Sequence, residues 1–125
     1  MSLEIYKEHI IDLYKHPHNK GTLENFTHES LKNNPLCGDE IKIQLKIKDN
    51  KIIDVKFDGV GCTISMASTS MLTDKIKNMT LESINKLTKD DILEMLHIPI
   101  SPVRLKCALL SLDALKGALE KNARN

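Results

Sequence analysis

Ile41-Lys42-Ile43-Gln44-Leu45-Lys46-Ile47-Lys48 alternates apolar and polar side chains along its whole length. An extended chain sends successive side chains to opposite faces, so the pattern describes a strand with one buried and one wetted face. Asp49-Asn50-Lys51 follows as a turn. Ile53, Val55 and Phe57 then alternate with Asp54, Lys56 and Asp58 to give a second strand. Directly opposed residues of an antiparallel pair share a face. The apolar sets therefore set Ile43 against Phe57, Leu45 against Val55 and Ile47 against Ile53, closed by a three-residue loop. Carried outward, the register sets Asp39 opposite Gly61 and Cys37 opposite Thr63. Cys62 then falls beside the Cys37–Asp39 segment.

The second strand runs into Gly59-Val60-Gly61-Cys62-Thr63-Ile64-Ser65-Met66-Ala67-Ser68-Thr69-Ser70-Met71. Two glycines free the backbone ahead of Cys62, and small hydroxylated and apolar residues follow at helical spacing. This reads as a strand turning on glycine into a helix with a cysteine at its mouth. The positive end of the helix dipole favours a thiolate there, the form that binds metal or attacks sulfur. The helix extends to about Asn78 and buries Ile64, Ala67, Met71, Leu72 and Ile76.

Upstream, residues 3–15 place Leu3, Tyr6, Ile10, Leu13 and Tyr14 on one helix face. His16-Pro17-His18-Asn19-Lys20-Gly21 ends that helix. Leu23, Phe26 and Leu31 mark a short edge strand within Thr22 to Asn34. Downstream, Thr80 caps a short helix through Leu87, and Thr88 caps another through Leu96. Ser101-Pro102 starts a last helix to about Lys121, with Leu105, Ala108, Leu109, Leu112, Leu115 and Leu119 as its apolar stripe.

A chain of 125 residues suits a single domain spanning 1–125. Its formal net charge of +1 offers no footprint for nucleic acid. No run approaches the roughly 20 apolar residues of a membrane span, and the first residues lack the basic start and apolar run of a signal peptide. The expectation is a soluble, cytoplasmic protein with no membrane or nucleic-acid partner.

In a reducing compartment Cys37, Cys62 and Cys107 stay thiols. They are either separate core residues or one site. Cys37-Gly38-Asp39 offers a thiolate and a carboxylate before the first strand of the hairpin. Cys62 follows the second strand, and Cys107 stands in the second turn of the last helix, after Arg104 and Lys106. Three sulfurs and one carboxylate form a four-coordinate set for zinc or for the edge of an iron–sulfur cluster. No Cys-x-x-Cys pair is present, so spacing alone leaves both readings open. His9, His16, His18, His28 and His97 lack ligand spacing and read as surface residues. Met66 and Met71 read as core filler.

Asn34-Pro35-Leu36-Cys37-Gly38-Asp39, the Gly59–Ser68 stretch, and Pro102-Val103-Arg104-Leu105-Lys106-Cys107-Ala108 resemble the three signatures of the iron–sulfur cluster assembly scaffold family, of the IscU, SufU and NifU N-terminal type. Tyr14-Lys15-His16-Pro17-His18-Asn19-Lys20-Gly21 is similar to the family's Tyr-x-x-Pro-x-Asn-x-Gly segment. The resemblance covers nearly the whole chain in order. It implies an α+β fold of the SufE/NifU-like kind: a three-stranded antiparallel sheet, about five helices mainly on one face, and the cysteines together at one end. It also implies a scaffold rather than an enzyme, which accepts sulfur from a cysteine desulfurase, binds iron or zinc, and transfers a [2Fe–2S] cluster to acceptor apoproteins.

Carried over by position, Cys37, Cys62 and Cys107 would be sulfur ligands and persulfide acceptors, and Asp39 the fourth, exchangeable ligand. A carboxylate holds zinc or iron less tightly than thiolate does, which suits a site that must release its cargo. Three thiolates and a carboxylate around Zn²⁺ sum to a negative site, which Arg104 and Lys106 would partly offset from just outside it.

The IscU branch has His where this chain has Lys106, and a protonated lysine has no lone pair for a metal. Lys106 is expected to pair with Asp39 when no metal is bound. Lysine there, with Cys62-Thr63-Ile64-Ser65-Met66-Ala67-Ser68, resembles the SufU branch, which implies the alternative of a zinc-dependent sulfurtransferase with three Cys and one Asp at its zinc. The extra segment of that branch between its second and third cysteines is missing here. Ile98-Pro99-Ile100-Ser101-Pro102-Val103-Arg104 matches only in part the segment that IscU-type scaffolds present to an Hsp70-type chaperone, and that partner is not carried over.

Overall fold

The computed structural model describes residues 3–35 and 38–120. Cys37 lies outside them. In chain order the elements are α1 (Leu3–Lys15), β1 (His28–Asn34), β2 (Asp39–Lys48), β3 (Lys51–Val60), α2 (Thr63–Ile76), α3 (Leu81–Asn85), α4 (Lys89–Leu96) and α5 (Pro102–Glu120). The three strands form an antiparallel sheet in the order β1-β2-β3. The expected α+β architecture of three strands and five helices is what the chain adopts.

Ile41, Ile43 and Leu45 of β2 and Ile52, Val55 and Phe57 of β3 point into one cluster with Leu72 and Ile76 of α2 and Leu110, Leu112 and Leu115 of α5. Burying such side chains contributes about 1.5–3 kcal/mol each, so this shared face holds the sheet to α2 and α5. A second cluster of Ile10, Leu13, Ala67, Leu96 and Ala108 lays α1 and the end of α4 over the outer side of α2 and α5.

The hairpin register holds at Ile43–Phe57 and Leu45–Val55, but Ile47 faces Ile52, not Ile53. Asp49 and Asn50 both take positive φ, 52° and 66°, so the turn has two residues rather than three. Ile53 becomes the extra residue of a β-bulge, is 42% exposed, and the ladder resumes at Asp54 opposite Lys46. Gln44, expected on the wetted face, is buried. The chain before β1 crosses that face: Leu23 N donates to Gln44 Oε1 at 2.9 Å, and Gln44 Nε2 donates to Glu29 at 2.8 Å.

The edge strand is His28–Asn34, later than Leu23 and Phe26 suggested. Leu31 points outward from it at 55% exposure, and only Leu23 of the three is buried. In α1, Ile10 and Leu13 are buried while Leu3 and Tyr14 are exposed, because a single line of contact with α2 needs a narrower stripe than the sequence offers. Leu105, expected in the stripe of α5, is likewise exposed. Helix α2 stops at Ile76, two residues early, and Asn78 turns the chain with φ of 68°.

Thr80 caps α3 by accepting from Ser83 N, and the Asp91 carboxylate accepts from Thr88 N and Oγ1 at the start of α4. His97 ends α4 in the left-handed conformation and stacks on Tyr6 with ring centroids 4.5 Å apart. His18 is exposed as expected, yet it also holds an ion pair with Asp74 at 2.6 Å. Asn19 Nδ2 donates to Asp74 and to Thr73, while Phe57 N donates to Asn19 O and Gly21 N to Phe57 O. The Pro17–Gly21 loop is thereby fastened to α2 and β3 together. Burial works to raise the Asp74 pKa, but the His18 and Asn19 hydrogen bonds and the charges of His18 and Lys77 outweigh it, and the carboxyl titrates below its usual range.

Candidate metal centre

The end of the hairpin is shaped by what glycine permits. Gly59 has φ of +144°, and a Cβ there would stand 2.0 Å from the Glu40 carbonyl oxygen, so β3 can lie this close to β2 only without a side chain. A Cβ on Gly61 would stand 3.0 Å from Ser65 Oγ and 3.2 Å from Asp39 Oδ1. The backbone thus passes between those two oxygens and delivers Cys62 to the start of α2.

Cys62 is the residue that caps α2, with φ of −73° and ψ of 172°. Its Sγ accepts from Ser65 N at 3.5 Å, the bond a capping serine or aspartate would take. Its own N–H donates to Asp39 Oδ1 at 3.0 Å. The thiol is half-buried at the helix mouth, as the sequence predicted.

Cys107 comes from α5, 1% exposed. Helix α5 is fixed to α2 by a serine: Ser68 Oγ donates to the Ala108 carbonyl at 2.8 Å and meets Ser111 Oγ at 3.1 Å. This buried contact adjoins Cys107 in sequence and lies six residues after Cys62, so it ties together the two helices that carry the sulfurs. Ser68→Ala should lower stability by about 1–3 kcal/mol, since it removes one partner of a buried pair. Urea unfolding measures that loss, and the variant should also bind metal more weakly than an equally destabilised variant remote from both helices.

One ligand atom each from Asp39, Cys62 and Cys107 lies within 4.8 Å of the others. A tetrahedral zinc with bonds of about 2.3 Å to sulfur separates its ligands by about 3.7 Å, so small side-chain movements close the set. Asp39 is 2% exposed, and its Oδ2 has no hydrogen-bond partner among the described residues. A buried carboxylate oxygen left unpaired is costly, and a cation on that side would satisfy it. The donors therefore fit a thiophilic divalent cation or the edge of an iron–sulfur cluster.

Of the sequence-predicted site residues, the structure brings together Asp39, Cys62 and Cys107. Arg104 and Lys106 are both exposed on α5. Among the described residues no ion pair joins Lys106 to Asp39, contrary to expectation. The Asp39 carboxylate turns instead to the Cys62 N–H, and Lys106 lines a cavity of about 370 Å³ with Asn33, Asn34 and Leu109. Sequence reasoning passed over Ser65 and Ser68, whose signal was hydroxyls three residues apart on the helix that Cys62 begins.

A family model described as the NifU-like N terminal domain matches residues 5–125. The Drosophila melanogaster iron–sulfur cluster assembly enzyme IscU is 37% identical, over 92% of this chain and 76% of its own. The Bacillus subtilis zinc-dependent sulfurtransferase SufU is also 37% identical, over 94% of this chain and 90% of its own. A solved structure from Fervidobacterium islandicum, described as a scaffold candidate for the SUF system, superposes with TM-score 0.79 at 31% identity, covering 95% of this chain and 99% of that one. The chain belongs to the NifU-like N-terminal domain family, alongside the IscU and SufU proteins.

Proposed function

We propose that residues 1–125 form one domain that works as a cytoplasmic scaffold on which an iron–sulfur cluster is assembled and from which it passes to acceptor apoproteins. The observation that carries this reading is the convergence of Asp39, Cys62 and Cys107 around an unpartnered, buried carboxylate oxygen. Cys37, two residues before Asp39, supplies the remaining sulfur ligand in this reading. The cluster or its iron is the cargo, and zinc can take the same donors.

Sulfur arrives as the persulfide of a cysteine desulfurase. A scaffold thiolate attacks the outer sulfur of that persulfide, a new S–S bond forms on the scaffold, the donor's S–S bond breaks, and the donor cysteine leaves as thiolate. No net oxidation or reduction occurs. Between the two described thiols, Cys62 suits the attack, because it is half-exposed where Cys107 is buried. The capping bond from Ser65 N stabilises negative charge on its sulfur.

A zinc-dependent sulfurtransferase is the second reading, favoured by Lys106 standing before Cys107. Anaerobic reconstitution with iron, sulfide and a desulfurase distinguishes the two. The scaffold should develop a visible absorption band that Cys62→Ser abolishes. Tightly held zinc alone, with faster desulfurase turnover, would decide for the sulfurtransferase.

A further inference from the structure

The buried hydroxyls of α2 fall into two groups. Thr69 Oγ1 donates to Ser65 O, Thr73 Oγ1 to Thr69 O, and Ser68 Oγ to Ala108 O. Ser65 Oγ and Ser70 Oγ are buried and have no hydrogen-bond partner among the described residues. Ser70 lies in the middle of the helix. Ser65, 1% exposed, lies in its first turn, and its own N–H already holds the Cys62 sulfur.

Asp39 Oδ2 is a third buried oxygen without a partner among the described residues, and it needs a donor or a cation. Ser65 Oγ and Asp39 Oδ1 both lie close to the position that a Cβ on Gly61 would take, at 3.0 and 3.2 Å from it, so the two residues converge on the Gly61 backbone. A hydroxyl that can donate, and that is not bonded to the carboxylate in this structure, thus lies near a carboxylate that must accept whenever no cation is bound.

We infer that Ser65 is a positioning residue for cargo release: its hydroxyl donates to the Asp39 carboxylate as the cation leaves. This rests on the reading that Asp39 is a ligand. A carboxylate that loses its cation in a dry site is left unpaired, which favours retention. A serine ready to replace the cation removes that penalty from the empty state and leaves the loaded state unchanged. Ser65 thereby sets how readily the site lets go, and it does so through Asp39 without touching the cargo.

The test is zinc affinity, read by competition with a chromophoric chelator, for the wild type, Ser65→Ala, Ser70→Ala, Asp39→Ala and the Ser65→Ala/Asp39→Ala double variant. Alanine is a good helix former, so the fold should tolerate it at both serines. Ser65→Ala should bind zinc about tenfold more tightly, because the empty state has lost a donor to a buried charge. It should lower the melting temperature of the zinc-free protein and leave that of the zinc-loaded protein unchanged. Ser70→Ala should leave zinc affinity unchanged. In the Asp39→Ala background, removing Ser65 should have no effect on zinc.

Weaker zinc binding in Ser65→Ala, or the same change with and without Asp39, overturns the inference. So does an equal change in Ser70→Ala. If Asp39→Ala weakens zinc and Ser65→Ala does not tighten it, the serine inference alone fails. If Asp39→Ala leaves zinc affinity untouched, Asp39 is not a ligand and both readings fall together.

Discussion

Asp39→Cys should convert a site that releases its cargo into one that keeps it. With Cys37 as the remaining ligand of the proposed site, the substitution places a fourth thiolate where a carboxylate now stands, and zinc sites closed by four cysteines are the structural, non-exchanging kind. Thiolate is also the better match for zinc and iron, so loss of zinc to a chelator should slow on the order of a hundredfold. The fold should survive, because the chief loss is the bond from Cys62 N to Asp39 Oδ1, worth about 1.5–3 kcal/mol. Stopped-flow mixing of the zinc-loaded protein with a chromophoric chelator measures the rate. An unchanged rate would mean that Asp39 does not contact the metal.

Gly59→Ala should have the largest effect on stability. The new Cβ meets backbone at 2.0 Å, and φ of +144° is a conformation that alanine avoids. Neither strain can be relieved by a side chain moving aside, so a loss of about 3 kcal/mol or more follows. Gly38→Ala is the control: φ there is +74°, but nothing lies within 4 Å of the added carbon. It should cost only the left-handed backbone term of about 1–2 kcal/mol. Urea midpoints give both numbers. Because Gly59 lies three residues before Cys62, the first variant should also make that thiol react faster with a disulfide reagent.

Alternation revealed the hairpin, since a face shared by Ile43 and Phe57 is a property of every second residue. It could not reveal the bulge, since Ile52 and Ile53 are both apolar and only the two-residue turn chooses between them. The buried face of α2 was hidden for the opposite reason. Ser65, Ser68, Thr69, Ser70 and Thr73 look like surface residues, yet most bond a helix carbonyl and sit in the interior. At the site, register brought Asp39 to Cys62, a local consequence of one hairpin. Cys107 belongs to a different helix, and only the resemblance tied it to the other two. The Lys106–Asp39 pair failed because Asp39 is buried at 2% exposure while Lys106 stands exposed on α5, so pairing would take the ammonium out of water.

The loop at Pro17–Gly21 has a value that has nothing to do with sulfur or metal. Strand β3 is an outer strand, and its free side would present unpaired backbone to any other chain. The Asn19 and Gly21 backbone takes up the two groups of Phe57 on that side, and Asn78 and Met79 take up those of Ile52 near the other end. Both stretches of edge are therefore occupied from within. The bulge at Ile53 bends the strand between them, spoiling the flat template that intermolecular pairing needs. The chain has in this way an outer strand that resists accidental sheet-to-sheet association. The Tyr14–Gly21 segment, far from the cysteines in sequence, reads as the guard of that edge.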